Sequence, residues 1–313
     1  MPSVRSAVVT GGAGFIGSHV VDRLVEQGCS VTVIDDMSSG KRENLHADAR
    51  LIVADVTTDE AAAAIKAASP ELIVHAAAQI SVSVSAREPV QDARINVVGT
   101  VNVLEAARSA GTDKVVFFSS GGMVYGQLET LPADESQPLE PENPYGTSKL
   151  AGEEYLRMYR RSYGLESTIL RLANIYGPRQ DPHGEAGVIA IFARAMLADA
   201  PITIFGDGQD ERDYVFVSDV VDAVLAASQS GPDVCNIGSG VGTNVNELCT
   251  RLTALTDYQK DPQYGPPRPG DIRAISLDAS RANAELGWSP KVDLDTGLAR
   301  TVEFFRKPAS GTS

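Results

Sequence analysis

The chain has 313 residues, 43% of them hydrophobic and 22% charged, the balance of a soluble globular protein long enough for about two domains or one large one. A formal net charge of −14 argues against a nucleic-acid or anionic-membrane surface, since both need a basic footprint. Cys29, Cys235 and Cys249 show no short pairing pattern and are expected reduced. The first strand begins within a few residues with no signal-like segment, and no apolar run approaches the roughly 20 residues of a membrane span, so a cytoplasmic location is expected.

Along the chain, strand-like runs are "AVVT" (7–10), "SVTVIDD" (30–36), "ARLIVADV" (49–56), "ELIVHAAA" (71–78), "KVVFFSS" (114–120) and "STILRLANIYG" (167–177). Helical patterns lie between most of them, such as "GSHVVDRLVEQG" and "INVVGTVNVLEAARSAG". Strands that read apolar throughout and alternate with helices belong to a parallel sheet covered on both faces, the doubly wound α/β Rossmann architecture. After residue 177 Pro and Gly become dense and the signals shorten. The expected division is a dinucleotide-binding domain over 1–173, a smaller mixed α/β substrate domain over 174–306 with some elements returning to the first sheet, and a flexible tail over 307–313.

"VVTGGAGFIGSHV" sets Gly11, Gly14 and Gly17 directly after the first strand and at the start of a helix. Such a turn lets the backbone approach a pyrophosphate, and the helix N-terminus stabilises its charge. The second strand ends in Asp35 and Asp36. An acid there binds ribose hydroxyls and repels a 2′-phosphate, which selects NAD over NADP. Asp55 and Val56, ending the third strand, are placed to flank the adenine. In "ENPYGTSKL", Asn143 suits an N-cap and Pro144 the first helical position. Tyr145 and Lys149 then lie one turn apart on one helix face. A free tyrosine titrates near ~10, so a neighbouring ammonium and a nicotinamide cation are needed to favour the phenolate. No metal-ligating cluster is expected.

With "TGGAGFIG", "HAAAQ", "NVVGT", "PYGTSK", "NIYGPRQDPHGEAGVIAIF", "RPGD" and "LGWSP", the chain resembles the extended short-chain dehydrogenase/reductase family, in its nucleotide-sugar epimerase branch, over nearly its whole length. The resemblance implies a tightly bound NAD, regenerated in each cycle, and a UDP-sugar substrate inverted at C4 through a transient 4-keto sugar, with UDP-glucose and UDP-galactose expected as the pair. It implies cofactor contacts from Phe15, Ile16, Ala76, Ala77, Asn96 and Ser119. It implies substrate contacts from Gly121, Asn174, Val188, Thr203, Phe205, Arg212, Arg268 and Asp271, and a homodimer built on the helices near 95–110 and 145–163. The rival readings are another UDP-sugar, a hexuronate or an N-acetylhexosamine, and a non-catalytic NAD-sensing regulator.

One stretch departs from the family pattern. Most relatives carry Ser or Thr four residues before the tyrosine of "VYG", where its hydroxyl bridges sugar and catalytic tyrosine; here that position is Gly121. Three accounts compete: Ser120 supplies the hydroxyl, water fills the gap, or Tyr145 works alone. The first two together are favoured. Gly122 and Met123 stand where related dehydratases need an acid pair. Asp181, in the loop opening the second domain, is expected to disfavour a C6 carboxylate, and Ile275 to leave N-acetylated sugars as weaker substrates.

Overall fold

The structure is a computed structural model and describes residues 4–183, 187–267 and 272–307. The apolar runs of the first half become β1 (Ser6–Thr10), β2 (Ser30–Asp35), β3 (Arg50–Val53), β4 (Leu72–His75), β5 (Lys114–Ser120) and β6 (Glu166–Leu172). They pair in parallel in the order β3-β2-β1-β4-β5-β6. Alternate residues of each strand feed opposite faces, which is why the runs are apolar throughout. Val9, Val74 and Val116 pack under the Phe15–Glu26 and Val217–Gln229 helices. Val8, Ile73 and Val115 pack under the helices that carry Ile65, Leu104 and Leu156.

The run over 167–177 is two strands rather than one. β6 ends at Leu172, and the Ala173 N–H donates to the Ile237 carbonyl. β7 (Asn174–Tyr176) then leaves to join a second sheet. This second sheet contains β9 (Glu211–Phe216), β11 (Gly242–Asn244) and β13 (Ala274–Ile275), while β8 (Thr203–Phe205) pairs with β12 (Gln263–Gly265) in a separate ribbon. β10 (Val234–Ile237) returns to the large sheet beside β6 as its seventh strand. The second half has its own core, with Phe192, Met196, Ile204, Leu248, Leu252 and Leu298 among its buried residues.

β4 stops three residues short of the expected end because the backbone beyond His75 turns onto β1. Ala76 N–H donates to the Thr10 carbonyl and Ala77 N–H to the Thr10 hydroxyl. The helical run over 95–111 contains a π-helical turn, Arg94–Val98, ahead of the Gly99–Ala110 α-helix. Such turns recur at functional sites because they re-aim a side chain; this one carries Asn96.

Candidate active site

The glycine turn is built on close backbone approach. Gly11 has φ +67°, and a Cβ there would lie 2.6 Å from Ala77 N. A Cβ on Gly17 would sit on the Gly11 carbonyl oxygen, well inside 3.0 Å. Gly14 caps the Phe15–Glu26 helix and offers no side-chain acceptor, so the first-turn N–H groups of Phe15, Ile16 and Gly17 are left for an external anion. Asp35 is buried and accepts hydrogen bonds from Ala13 N (2.9 Å) and Met37 N (2.9 Å). It therefore braces the turn. Burial pushes its carboxyl up, against the pull of those two N–H groups. Asp36 is exposed and holds Ser38 N at 2.9 Å and Ser38 Oγ at 2.6 Å. Asp55 accepts from Thr57 N, and the carbonyl of Val56 from Asn102 Nδ2. Asn44, which the sequence reading missed, donates to Ala13 O from below the turn. A pyrophosphate and an adenosine ribose fit this cradle, which side chains at residues 11 and 17 would fill.

The second part of the candidate site lies where β5 ends. Asn143 Oδ1 accepts from Gly146 N at 2.9 Å and caps the Pro144–Tyr163 helix, with Pro144 at its first turn. That start sets Tyr145 and Lys149 over the sheet. Ser120 lies near the Tyr145 side chain and pulls its phenol down. Burial pushes the Tyr145 phenol up to about 12, against the pull of Ser120. Burial also lowers Lys149 to about 8, opposed by the carboxylates of Asp92 and Glu153. The Lys149 ammonium lies 4.8 Å over the Phe117 ring. The pair thus holds a neutral phenol and a cation, and only added positive charge beside Tyr145 makes it a base at neutral pH.

Gly121 carries no hydroxyl, and the space beside it is filled. A Cβ there would collide with Leu277 Cδ1, at under 3.0 Å. Leu277 is fully buried with Val124, Tyr125 and Ile275. No sequence signal marked Leu277, which arrives from 156 residues away. Ser119 takes the other course. Its hydroxyl donates to Glu153 Oε1 at 2.5 Å, inside a network in which Arg171 holds both Glu153 oxygens at 2.9 and 2.6 Å and reaches Tyr125 OH at 2.9 Å. Arg171 and Glu153 are 1% and 0% exposed, so loss of either partner would strand a buried charge at a cost of about 3–5 kcal/mol. Glu153 was legible in principle, standing four residues after Lys149 on the same face.

Asn96 is 2% exposed. Its Oδ1 accepts from Gln79 N at 2.9 Å, and its Nδ2 donates to Gln79 O, Asp92 Oδ1 and Ser148 Oγ at 3.0 to 3.1 Å. Asn174, at the start of β7, is exposed and 3.9 Å from where a Cβ on Gly122 would lie. It stands opposite Tyr214, two residues along β9 from Arg212, so all three share a face of the small sheet. Thr203 and Phe205 flank Gly265 on the ribbon, and Phe205 is 42% exposed. Val188 opens the Val188–Leu197 helix. Arg268 and Asp271 lie outside the described residues. Ile275 is buried opposite Arg212, and Asp181 is exposed, accepting from His183 N.

The family profile described as "NAD dependent epimerase/dehydratase family" matches residues 7–238. A UDP-glucose 4-epimerase of Mycolicibacterium smegmatis is 50% identical over 306 residues, covering 96% of this chain and 98% of its own length. Among solved structures, the UDP-glucose 4-epimerase of Thermotoga maritima, with UDP-glucose, superposes at a TM-score of 0.95 and is 48% identical, covering 96% of this chain and 98% of its own. The Thermus thermophilus UDP-glucose 4-epimerase complex with NAD superposes at 0.92 and is 42% identical, covering 96% and 99%. With the glycine cradle, the acid ending β2 and the Tyr-Lys pair at the end of β5 all present on a seven-stranded parallel sheet, the chain belongs to the NAD dependent epimerase/dehydratase family.

Proposed function

We propose that the protein interconverts UDP-glucose and UDP-galactose by inverting C4. The observation that carries this reading is the end of β5: Ser120 stands beside Tyr145 and lowers its phenol, and Gly122 and Met123 bring no acid. One proton-transfer pair without a second acid suits reversible oxidation at a single carbon rather than elimination of water. NAD, when bound, supplies the hydride acceptor. Tyr145 takes the proton of the sugar 4-hydroxyl and returns it, while Ser120 bridges the two oxygens. Lys149 lends the positive charge that lowers the phenol. Asn174, Val188, Thr203, Phe205 and Arg212, with Arg268 and Asp271, are assigned to the UDP half. A guanidinium suits its diphosphate. Held there, the 4-keto sugar can turn its other face to the cofactor.

The domain division at residue 173 is part of the same reading, supported by the separate core of the second half. So is a homodimer. Val98, Tyr155 and Tyr163 are exposed at 53%, 38% and 55% along the helices assigned to the interface, apolar side chains of the kind that mark association. Three buried, unpaired cysteines suit a reducing cytoplasm, and no helix among the described residues is long and apolar enough to cross a membrane.

The test is incubation of the purified protein with UDP-galactose, with released dinucleotide measured after denaturation. UDP-glucose formation without added NAD is the expected result. In a side-by-side comparison, kcat/KM should be higher for UDP-galactose than for UDP-galacturonate, because Asp181 repels a carboxylate. The reverse ranking would move the protein to uronate chemistry.

A further inference from the structure

We propose that Asp22 is a positioning residue for the nucleotide sugar: its ion pair with Arg179, beside a hydrogen bond from His19 to Pro178, fixes the segment after β7 that sets the start of the Val188–Leu197 helix. This deepens the proposed function and rests on it for the assignment of Val188 to the UDP half. Asp22 and His19 stand three residues apart on the Phe15–Glu26 helix, so they face the same way. Asp22 Oδ2 lies 2.7 Å from Arg179 Nη1, and His19 Nε2 donates to the Pro178 carbonyl at 2.9 Å. The side chains of Asp22 and Arg179 are only 22% and 24% exposed, so solvent screens this pair less than one on the open surface.

The held segment does not rest in a relaxed shape. Arg179 has φ +68°, the left-handed region that is costly for a residue with a side chain. Such a conformation persists where contacts on both sides over-determine it. The helix supplies one side and Gln180 the other. Gln180 Nε2 donates to the Ile175 carbonyl at 3.0 Å, back onto β7. The Gln180 amide also fills the space over Gly187, where a Cβ would lie 2.8 Å from its Cδ. Gly187, at φ +103°, caps the Val188–Leu197 helix. Contacts therefore run from Asp22 and His19 to Pro178 and Arg179, and through Gln180 to the residue before Val188. The same helix leaves its first-turn N–H groups free for an anion, and Phe15 and Ile16 in that turn pack against the second core. One rigid helix is thus the reference for both halves of the site. Arg23, the next residue, pairs with Asp222 at 3.3 Å and ties the helix to the Val217–Gln229 helix, not to this segment.

Release of the segment should weaken nucleotide binding and leave the chemical step alone. The direct measurement is calorimetric titration of UDP into the dinucleotide-bound full chain. Asp22→Arg sets two like charges together and should raise the Kd for UDP by roughly 5–20-fold. Asp22→Asn keeps the shape without the charge and should raise it by roughly 2–5-fold. The exchanged pair Asp22→Arg/Arg179→Asp should return the Kd to within roughly threefold of wild type. KM for UDP-galactose should follow the Kd, with kcat held within about twofold and dinucleotide content unchanged. Arg23→Ala removes a pair of the same kind from the same helix and should leave the Kd as it is. A general loosening of the helix would instead act in Arg23→Ala as well and lower dinucleotide content. An unchanged Kd in both Asp22 variants overturns the proposal. So does an equal loss in Arg23→Ala, an exchanged pair no tighter than Asp22→Arg, or a fall in kcat while the Kd holds. Should Asp22→Arg fail to fold, Asp22→Asn decides alone. Wild-type protein that does not bind UDP would sink the proposed function; wild-type protein that binds it, with variants that bind equally well, would sink only the role of Asp22.

Discussion

Gly17 and Gly121 are the same residue at the openings of two helices, and they use the missing side chain for opposite ends. At Gly17 the space is taken by the carbonyl of Gly11, six residues earlier, and the result is a tight turn whose free N–H groups face outward to a ligand. At Gly121 the space is taken by Leu277, from the far part of the chain, and the result is close packing with Val124, Tyr125 and Ile275 beside the proposed catalytic groups. One glycine makes room for a cofactor. The other makes room for the protein's own core, and in the proposed function the hydroxyl missing at that position is supplied by its neighbour Ser120.

The strongest break of this comparison is at its catalytic side. Tyr145→Phe removes the group that exchanges the 4-hydroxyl proton and should lower kcat by roughly 10²–10⁴-fold with dinucleotide content unchanged. Turnover close to wild type would reject Tyr145 as the base.

On the cofactor side, Gly17→Ala forces the helix away from the Gly11 carbonyl, so the protein should purify with little or no dinucleotide. A Cβ on Gly14 would meet the same oxygen at 3.2 Å, a contact that small shifts relieve, so Gly14→Ala should retain most of it. Absorbance of the released cofactor ranks the two. Equal retention would mean that the turn is looser than its contacts imply.

Gly121→Ser tests this close packing. Adding a side chain against buried Leu277 is an overpacking substitution, expected to cost about 1–3 kcal/mol. In Gly121→Ser/Leu277→Ala the two changes should compensate rather than add, because they share one space. Denaturant midpoints of the two single variants and the double variant give the coupling. Simple additivity would show that Leu277 does not occupy the missing position.

The smallest effect is at Ser120. Loss of one hydrogen bond of roughly 0.5–1.5 kcal/mol predicts a several-fold fall in kcat for Ser120→Ala. Because Ser120 lowers the Tyr145 phenol, removing its hydroxyl should also move the acidic limb of the profile to higher pH. An unmoved limb would give the bridging role to water.

The cofactor half of the site was legible because its parts are local. Three glycines between one strand and one helix, an acid at the next strand end, and a Tyr-Lys pair at helical spacing after an Asn-Pro cap all act within a few residues of each other. Backbone sterics and helix geometry are sufficient to place them. The same holds for the parallel sheet, whose double-faced burial is written in uninterrupted apolar runs. The sequence could not show that the run over 167–177 breaks at Ala173, because a strand entering a second sheet carries the same residue types as one that stays. The sequence could name Ser120 for the hydroxyl beside Tyr145, but not the buried ion pair that draws Ser119 away. Ser119 turns to Glu153 and Ser120 to Tyr145 because Arg171, Tyr125 and Leu277 come from separate strands and loops to fill the remaining space. Local periodicity determined the elements and the cofactor; side-chain volume and buried charge, brought together only by tertiary packing, decided the packing beside Gly121 and the surroundings of Lys149.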